Sequence, residues 1–128
     1  MMRFLSDVRQ FYRGVPLTLE FTFYNRGRLV YPKDYGVAAC VYTTQLSSRF
    51  WGLSLLEGQS TQYVPTAGVT ITRRRSSWVL SVEPAVLQAM PLGELHVGVV
   101  YYGASGSYTT AETITLPRLS DIEVDCNV

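Results

Sequence analysis

Residues 15–24 alternate without a break. Val15, Leu17, Leu19, Phe21 and Phe23 are interleaved with Pro16, Thr18, Glu20, Thr22 and Tyr24. A period of two places the five apolar side chains on one face of an extended strand, because successive Cβ atoms point to opposite sides of a pleated backbone. Such a face is stable only against a second layer, so the pattern commits the chain to packed β-structure. Asn25-Arg26-Gly27 then supplies the residues that turns favour.

The remaining chain repeats the theme. Val37 to Thr43 is continuously apolar behind Gly36, as expected of a strand buried on both faces. Arg49 to Leu56 is a shorter apolar run, and the polar stretch from Gln59 to Gly68 reads as a loop. Val69 to Arg73 and Trp78 to Val82 are two further strands, joined by Arg74 to Ser77. Leu95, Val97, Val99 and Tyr101 define another strand over Glu94 to Tyr102. Gly103-Ala104-Ser105-Gly106 is then a hairpin loop leading into the Thr-rich strand Tyr108 to Leu116. Between the strands at 78 and 94, Pro84 suits a first helical turn, Ala85 to Met90 favours helix, and Pro91 blocks continuation.

About seven short strands separated by turn signals, with one helical turn, predict an all-β fold, a sandwich or a barrel. The chain divides into an N-terminal arm at 1–13, a sandwich domain at 14–118 and a C-terminal arm at 119–128. The first arm carries Arg3, Arg9 and Arg13 against Asp7, and the second carries Asp121, Glu123 and Asp125. Opposite charge lets the arms pair with each other or with neighbouring copies, and solvated tails are the plainer expectation.

Composition bears on function. At 128 residues the chain suits one domain, and a charged fraction of 16% leaves less surface that needs water than is usual. Nine tyrosines offer contact area at low entropy cost. The cations are ten arginines and Lys33, a skew that either an interface preference or genomic nucleotide bias produces. A net charge of +1 gives no reason to expect nucleic acid or an anionic membrane as partner. No stretch has the unbroken apolar character of a signal peptide or a membrane span, so the chain is expected to be used without crossing a membrane by the standard route.

The chemistry of catalysis is thinly represented. A hydrolase triad needs nucleophile, histidine and acid converging. The single histidine, His96, could meet a serine and Glu94 or Glu112, but no nucleophile elbow accompanies it. Glu83, Glu94 and Glu112 show no spacing that pairs two carboxylates across a cleft. Cys40 and Cys126 lack the clustered ligands of a zinc site. They read as free thiols with Cys40 in the core, a disulfide between them remaining the alternative. No catalytic residue, metal or cofactor is therefore expected.

The candidate residues are those of an interface. Arg73, Arg74 and Arg75 form the sharpest polar cluster, read as a solvated turn or as an anchor for a protein partner. Tyr101, Tyr102 and Tyr108 flank the 103–106 hairpin, and Phe11 and Tyr12 stand at the entry to the sandwich. Aromatic residues near loops, including Phe50, Trp51 and Tyr63, also suit stacking on sugars. A carbohydrate-binding module is thus the second reading, with Trp78 and, by a smaller margin, Trp51 expected in the core.

The order of features resembles a family. The opening Gln10-Phe11-Tyr12-Arg13-Gly14-Val15-Pro16-Leu17-Thr18-Leu19-Glu20-Phe21-Thr22-Phe23 is followed later by Trp78 to Glu83, Ala85 to Met90 and Gly93-Glu94-Leu95-His96-Val97-Gly98-Val99. Over residues 8–118 this is similar to the immunoglobulin-like N-terminal domain of tailed-phage baseplate upper proteins and related tail-fibre proteins. Val15 stands where members often have Asp, and the usual coiled-coil or receptor-binding continuation does not follow Val128. The resemblance implies an immunoglobulin-like antiparallel β-sandwich and a non-enzymatic virion protein assembled in the host cytoplasm, such as a fibre-anchoring or decorating subunit. Its implied partners are other virion proteins and copies of itself.

Overall fold

The computed structural model describes residues 2–5, 11–12, 14–44, 48–91, 93–103 and 108–120; for 11–12, 108–114 and 116–120 it describes the backbone alone. Ten strands lie among the described residues: β1 (Met2–Phe4), β2 (Phe11–Tyr12), β3 (Leu17–Asn25), β4 (Arg28–Val30), β5 (Tyr35–Tyr42), β6 (Phe50–Ser54), β7 (Val69–Arg73), β8 (Trp78–Val82), β9 (Gly93–Gly103) and β10 (Tyr108–Ser120). One sheet runs β1-β3-β8-β7, with β4 also paired to β3; the other runs β2-β10-β9-β5-β6. All pairings are antiparallel except that of β2 with β10. This is an all-β sandwich with the strand order of an immunoglobulin domain, whose first strand contributes to both sheets.

The seven strands expected from the alternation are all present. The three additional ones, β1, β2 and β4, span only three, two and three residues, too few for periodicity to reveal. β1 lies within the segment expected as an arm, and Met2 is buried. Phe4 packs edge-on to Phe21, with ring centroids 6.4 Å apart. Strand β3 begins at Leu17 rather than Val15, which is 39% exposed. Asn25-Arg26-Gly27-Arg28 closes the β3–β4 hairpin with both central residues at positive φ, 54° and 79°. That is the turn hand that matches strand twist.

The core follows from the two alternations. Leu17, Leu19, Phe21 and Phe23 of β3 face Val37, Ala39 and Val41 of β5 and Leu95, Val97, Val99 and Tyr101 of β9. Aromatic rings link the sheets in sequence. Phe21 stacks on Trp78 at 5.8 Å, Trp78 meets Tyr101 edge-on at 6.1 Å, and Tyr101 stacks on Phe23 at 3.8 Å. At the other end of the sandwich, α1 (Pro84–Gln88) drops Val86 and Leu87 into the core beside Met90. Pro84 opens this turn as expected, and it ends before Pro91.

Antibody domains hold this core with an inter-sheet disulfide beside a tryptophan on the third major strand. Here the tryptophan sits on β8, and Cys40 is a free, buried thiol on β5. Cys126 lies outside the described residues. The aromatic chain thus occupies the place of the disulfide. Trp78→Ala is expected to cost about 3–5 kcal/mol through cavity formation, read as a lower midpoint in urea. Trp78→Phe retains the stack on Phe21 and is expected to lose less than half as much.

Candidate interaction surfaces

Outward-facing positions of β5 carry small side chains. Ala38 and Cys40 alternate with the inward Val37, Ala39 and Val41, yet Ala38 and Cys40 are buried as well. Arg49 lies against Cys40, and the connection between β6 and β7 folds back over the outer face of the second sheet at Val100 and Tyr102. Gln59 holds it there. Its amide oxygen accepts the Leu56 backbone N–H at 2.9 Å, while its amide nitrogen donates to the carbonyls of Gly103 at 2.7 Å and Tyr102 at 3.3 Å. Gly36 makes the space, since a Cβ there would run into the Gln59 amide.

The same segment stacks Tyr63 on Trp51, with centroids 3.8 Å apart and planes 14° from parallel. Trp51 N–H donates to Thr66 Oγ1 at 3.0 Å, and Thr66 N–H donates to the Trp51 carbonyl at 2.8 Å. Trp51 is therefore an outer-face residue, not the core residue expected from sequence. Phe50 and Gly52 take the inward positions of β6, and Gly52 lets it approach Val69 and Ile71 of β7. Ser60, Thr61, Gln62, Tyr63, Val100 and Tyr102 line a cleft of about 330 Å³, within which the Tyr102 and Thr61 hydroxyls lie 2.8 Å apart.

Farther along this face a polar ladder crosses three strands. Thr115 Oγ1 lies 2.9 Å from His96 Nδ1, His96 stacks on Tyr42, and the Arg49 guanidinium sits 3.6 Å above the Tyr42 ring. His96 is thus engaged by Thr115 and Tyr42. The hydrogen bond that Arg49 donates to Tyr42 raises the Arg49 pKa above its ordinary value. Burial raises that of the Cys40 thiol, which disfavours the thiolate. Among the described residues, no group of three or more His, Cys, Asp or Glu is gathered in a metal-binding arrangement, and no helix is long and apolar enough to cross a membrane.

The arginine cluster divides by role. The Arg73 guanidinium turns inward and donates to three carbonyls: Pro32, Tyr35 at 3.2 Å and Ser54 at 2.9 Å. It joins β7 to β6 and to the entry of β5, so it is a structural clamp and not a free interface group. Burial lowers its pKa, and the carbonyls compensate for lost hydration. Arg74 is exposed and lies 3.8 Å from Glu20, which also accepts a 2.5 Å bond from Ser77 Oγ. Arg75 is exposed at the turn.

The tyrosines divide too. Tyr101, expected at an interface, is fully buried against Phe23 and Trp78. As the last inward residue of the Leu95-Val97-Val99 alternation, it belongs to the core. Tyr102 takes the opposite phase and reaches the outer cleft. Tyr108 pairs with Tyr102 through the backbone, and Phe11 and Tyr12 pair with Leu119 and Ser120; the side chains of these three, with Glu112 and the loop at 104–107, lie outside the described residues.

A second cleft, of about 380 Å³, was not foreseen from sequence. It is lined by Arg3, Tyr24, Arg26 and Gly27, where β1 and the β3–β4 hairpin meet. Arg3 and Tyr24 lie 21 positions apart in the chain, and only the pairing of Arg3 with Thr22 makes them neighbours.

Arg73→Ala is expected to lower stability by about 1–3 kcal/mol, because it strands partly buried carbonyls; Arg75→Ala should stay within about 0.5 kcal/mol. Urea unfolding of the two variants checks the difference. Gln59→Ala should speed proteolytic cleavage within 57–65 severalfold and shift Trp51 emission to the red. No known protein-family model matches the chain, and no curated protein matches it in sequence.

Proposed function

We propose that this chain is a non-enzymatic structural or adaptor subunit of a tailed-phage particle, working through contacts with other virion proteins and with copies of itself. The observation that carries the reading is a long sheet edge with little pairing among the described residues. β10 spans thirteen residues, and its edge away from β9 is paired, among the described residues, only at Leu119 and Ser120 by β2. An edge of that length offers backbone donors and acceptors to an added strand. Pro117 and the irregularity between Leu116 and Arg118 protect its far end, and the stretch from Thr110 to Leu116 has no partner on that edge among the described residues. The resemblance to baseplate and tail-fibre domains supplies the biological setting.

A second reading, a carbohydrate-binding module, draws on the cleft beside Tyr63 and Tyr102, where hydroxyl and amide groups stand next to aromatic rings. Against it, Trp51 and Tyr63 use one face of each ring on the other, and the Tyr102 hydroxyl is engaged by Thr61. Assembly is the better-supported function.

Light scattering across a concentration series tests it. A defined oligomer is expected. Thr113→Lys, which sets a charge on the β10 edge opposite Gly98, should weaken association at least tenfold while shifting Tm by only a few degrees. A monomer at every concentration, together with Trp51 emission that responds to a panel of oligosaccharides, would favour the glycan reading.

A further inference from the structure

The sandwich has two ends of different charge. Phe23, near the end of β3, stacks on Tyr101, near the end of β9, so the β3–β4 hairpin and Gly103 lie at one end. Gly93 pairs with Leu119, so β10 leaves Ser120 at the other. The hairpin half gathers Arg3, Arg26, Arg28, Lys33, Arg74 and Arg75, with Asp34, Glu57 and, beside Arg74, Glu20 among them. At the opposite end Glu83 and Glu94 follow β8 and begin β9, Arg49 and Arg118 lie in the same half, and the chain continues past Ser120 into Asp121-Ile122-Glu123-Val124-Asp125.

We propose that the cleft formed by Arg3, Tyr24 and Arg26 receives the acidic segment Asp121–Asp125 of a second copy, joining protomers head to tail. Three observations carry it. The cleft is about 380 Å³, with two exposed arginines at its walls, and guanidinium groups bind carboxylates by paired hydrogen bonds. The segment alternates acid and apolar residues, so in extended form its carboxylates share one side, while Ile122 and Val124 share the other. Finally, β1, which bears Arg3, is the edge strand of the first sheet, so an extended segment can pair with it while its carboxylates meet the arginines.

The occupant is a second copy for reasons of reach. Five residues beyond Ser120 extend at most ~17 Å, whereas the nine-residue β3 separates the two ends by ~30 Å. A contact between unlike surfaces propagates into a ring or a filament. The inference rests on the assembly function proposed above and names one contact within it.

Sedimentation velocity on charge-reversed chains tests the contact. One variant carries Arg3→Glu with Arg26→Glu; the other carries Asp121→Lys, Glu123→Lys and Asp125→Lys. Each alone is expected to weaken self-association at least tenfold, and an equimolar mixture should restore it, because each reversed surface then meets its complement. Association of the unaltered chain should also weaken as salt is raised. If the unaltered chain associates but neither reversal matters, or mixing restores nothing, the head-to-tail contact is overturned while the assembly function stands. A monomer at all concentrations overturns the contact as well, and the assembly function then depends on binding to a different virion protein. Should reversal impair folding, Arg3→Ala with Arg26→Ala supplies the same comparison without new charge.

Discussion

Five aromatic side chains carry the contact between the two sheets around Phe23. Phe4, Phe21 and Trp78 line the first sheet, Tyr101 reaches in from the second, and Phe23 lies flat against it at 3.8 Å. Large rings bury much apolar area with few rotatable bonds, and parallel or edge-on contacts add to that burial. The consequence reaches the surface. Met2 and Phe4 extend the apolar layer beyond β3, which draws β1 into the sheet and brings Arg3 beside Tyr24. A basic cleft on the outside therefore depends on packing inside.

The second sheet solves a different problem. Its interior strand β5 is apolar on both faces, and an antiparallel sheet ordinarily leaves one face to water. The β6–β7 connection removes the conflict by folding across that face. The Gln59 side chain, which donates two hydrogen bonds and accepts one, holds it there together with the Tyr63–Trp51 stack. Arg73 closes the neighbouring corner by donating to three partly buried carbonyls. One flank of the sandwich is thus sealed by side chains, while on the other, among the described residues, the long edge of β10 is paired by two residues of β2. That asymmetry makes the β1 and β10 edges, and not the β6–β7 corner, the surfaces on which the proposed assembly rests.

The arginine run shows how adjacency in sequence misleads. Three consecutive cations read as one cluster, but a strand that ends at Arg73 still alternates, so its side chain faces the interior while those of the turn face water. Tyr101 and Tyr102 divide in the same manner. In each case the period of two already held the answer, and grouping residues by type obscured it. Trp51 follows the same rule, since Gly52 and not Trp51 needed to face β7.

From the sequence alone came the strand pattern, the helical turn between Pro84 and Pro91, the turn at Asn25-Arg26-Gly27 and most of the core, because local alternation and backbone preference determine them. The pairing of β1 and β2 with different sheets, the return of the β6–β7 connection over β5, the inward turn of Arg73 and the cleft between Arg3 and Arg26 came only with the tertiary structure. Each joins residues distant in the chain through short strands or single side chains. Such contacts form only once the two sheets have packed, and their energy comes from that packing rather than from any local propensity.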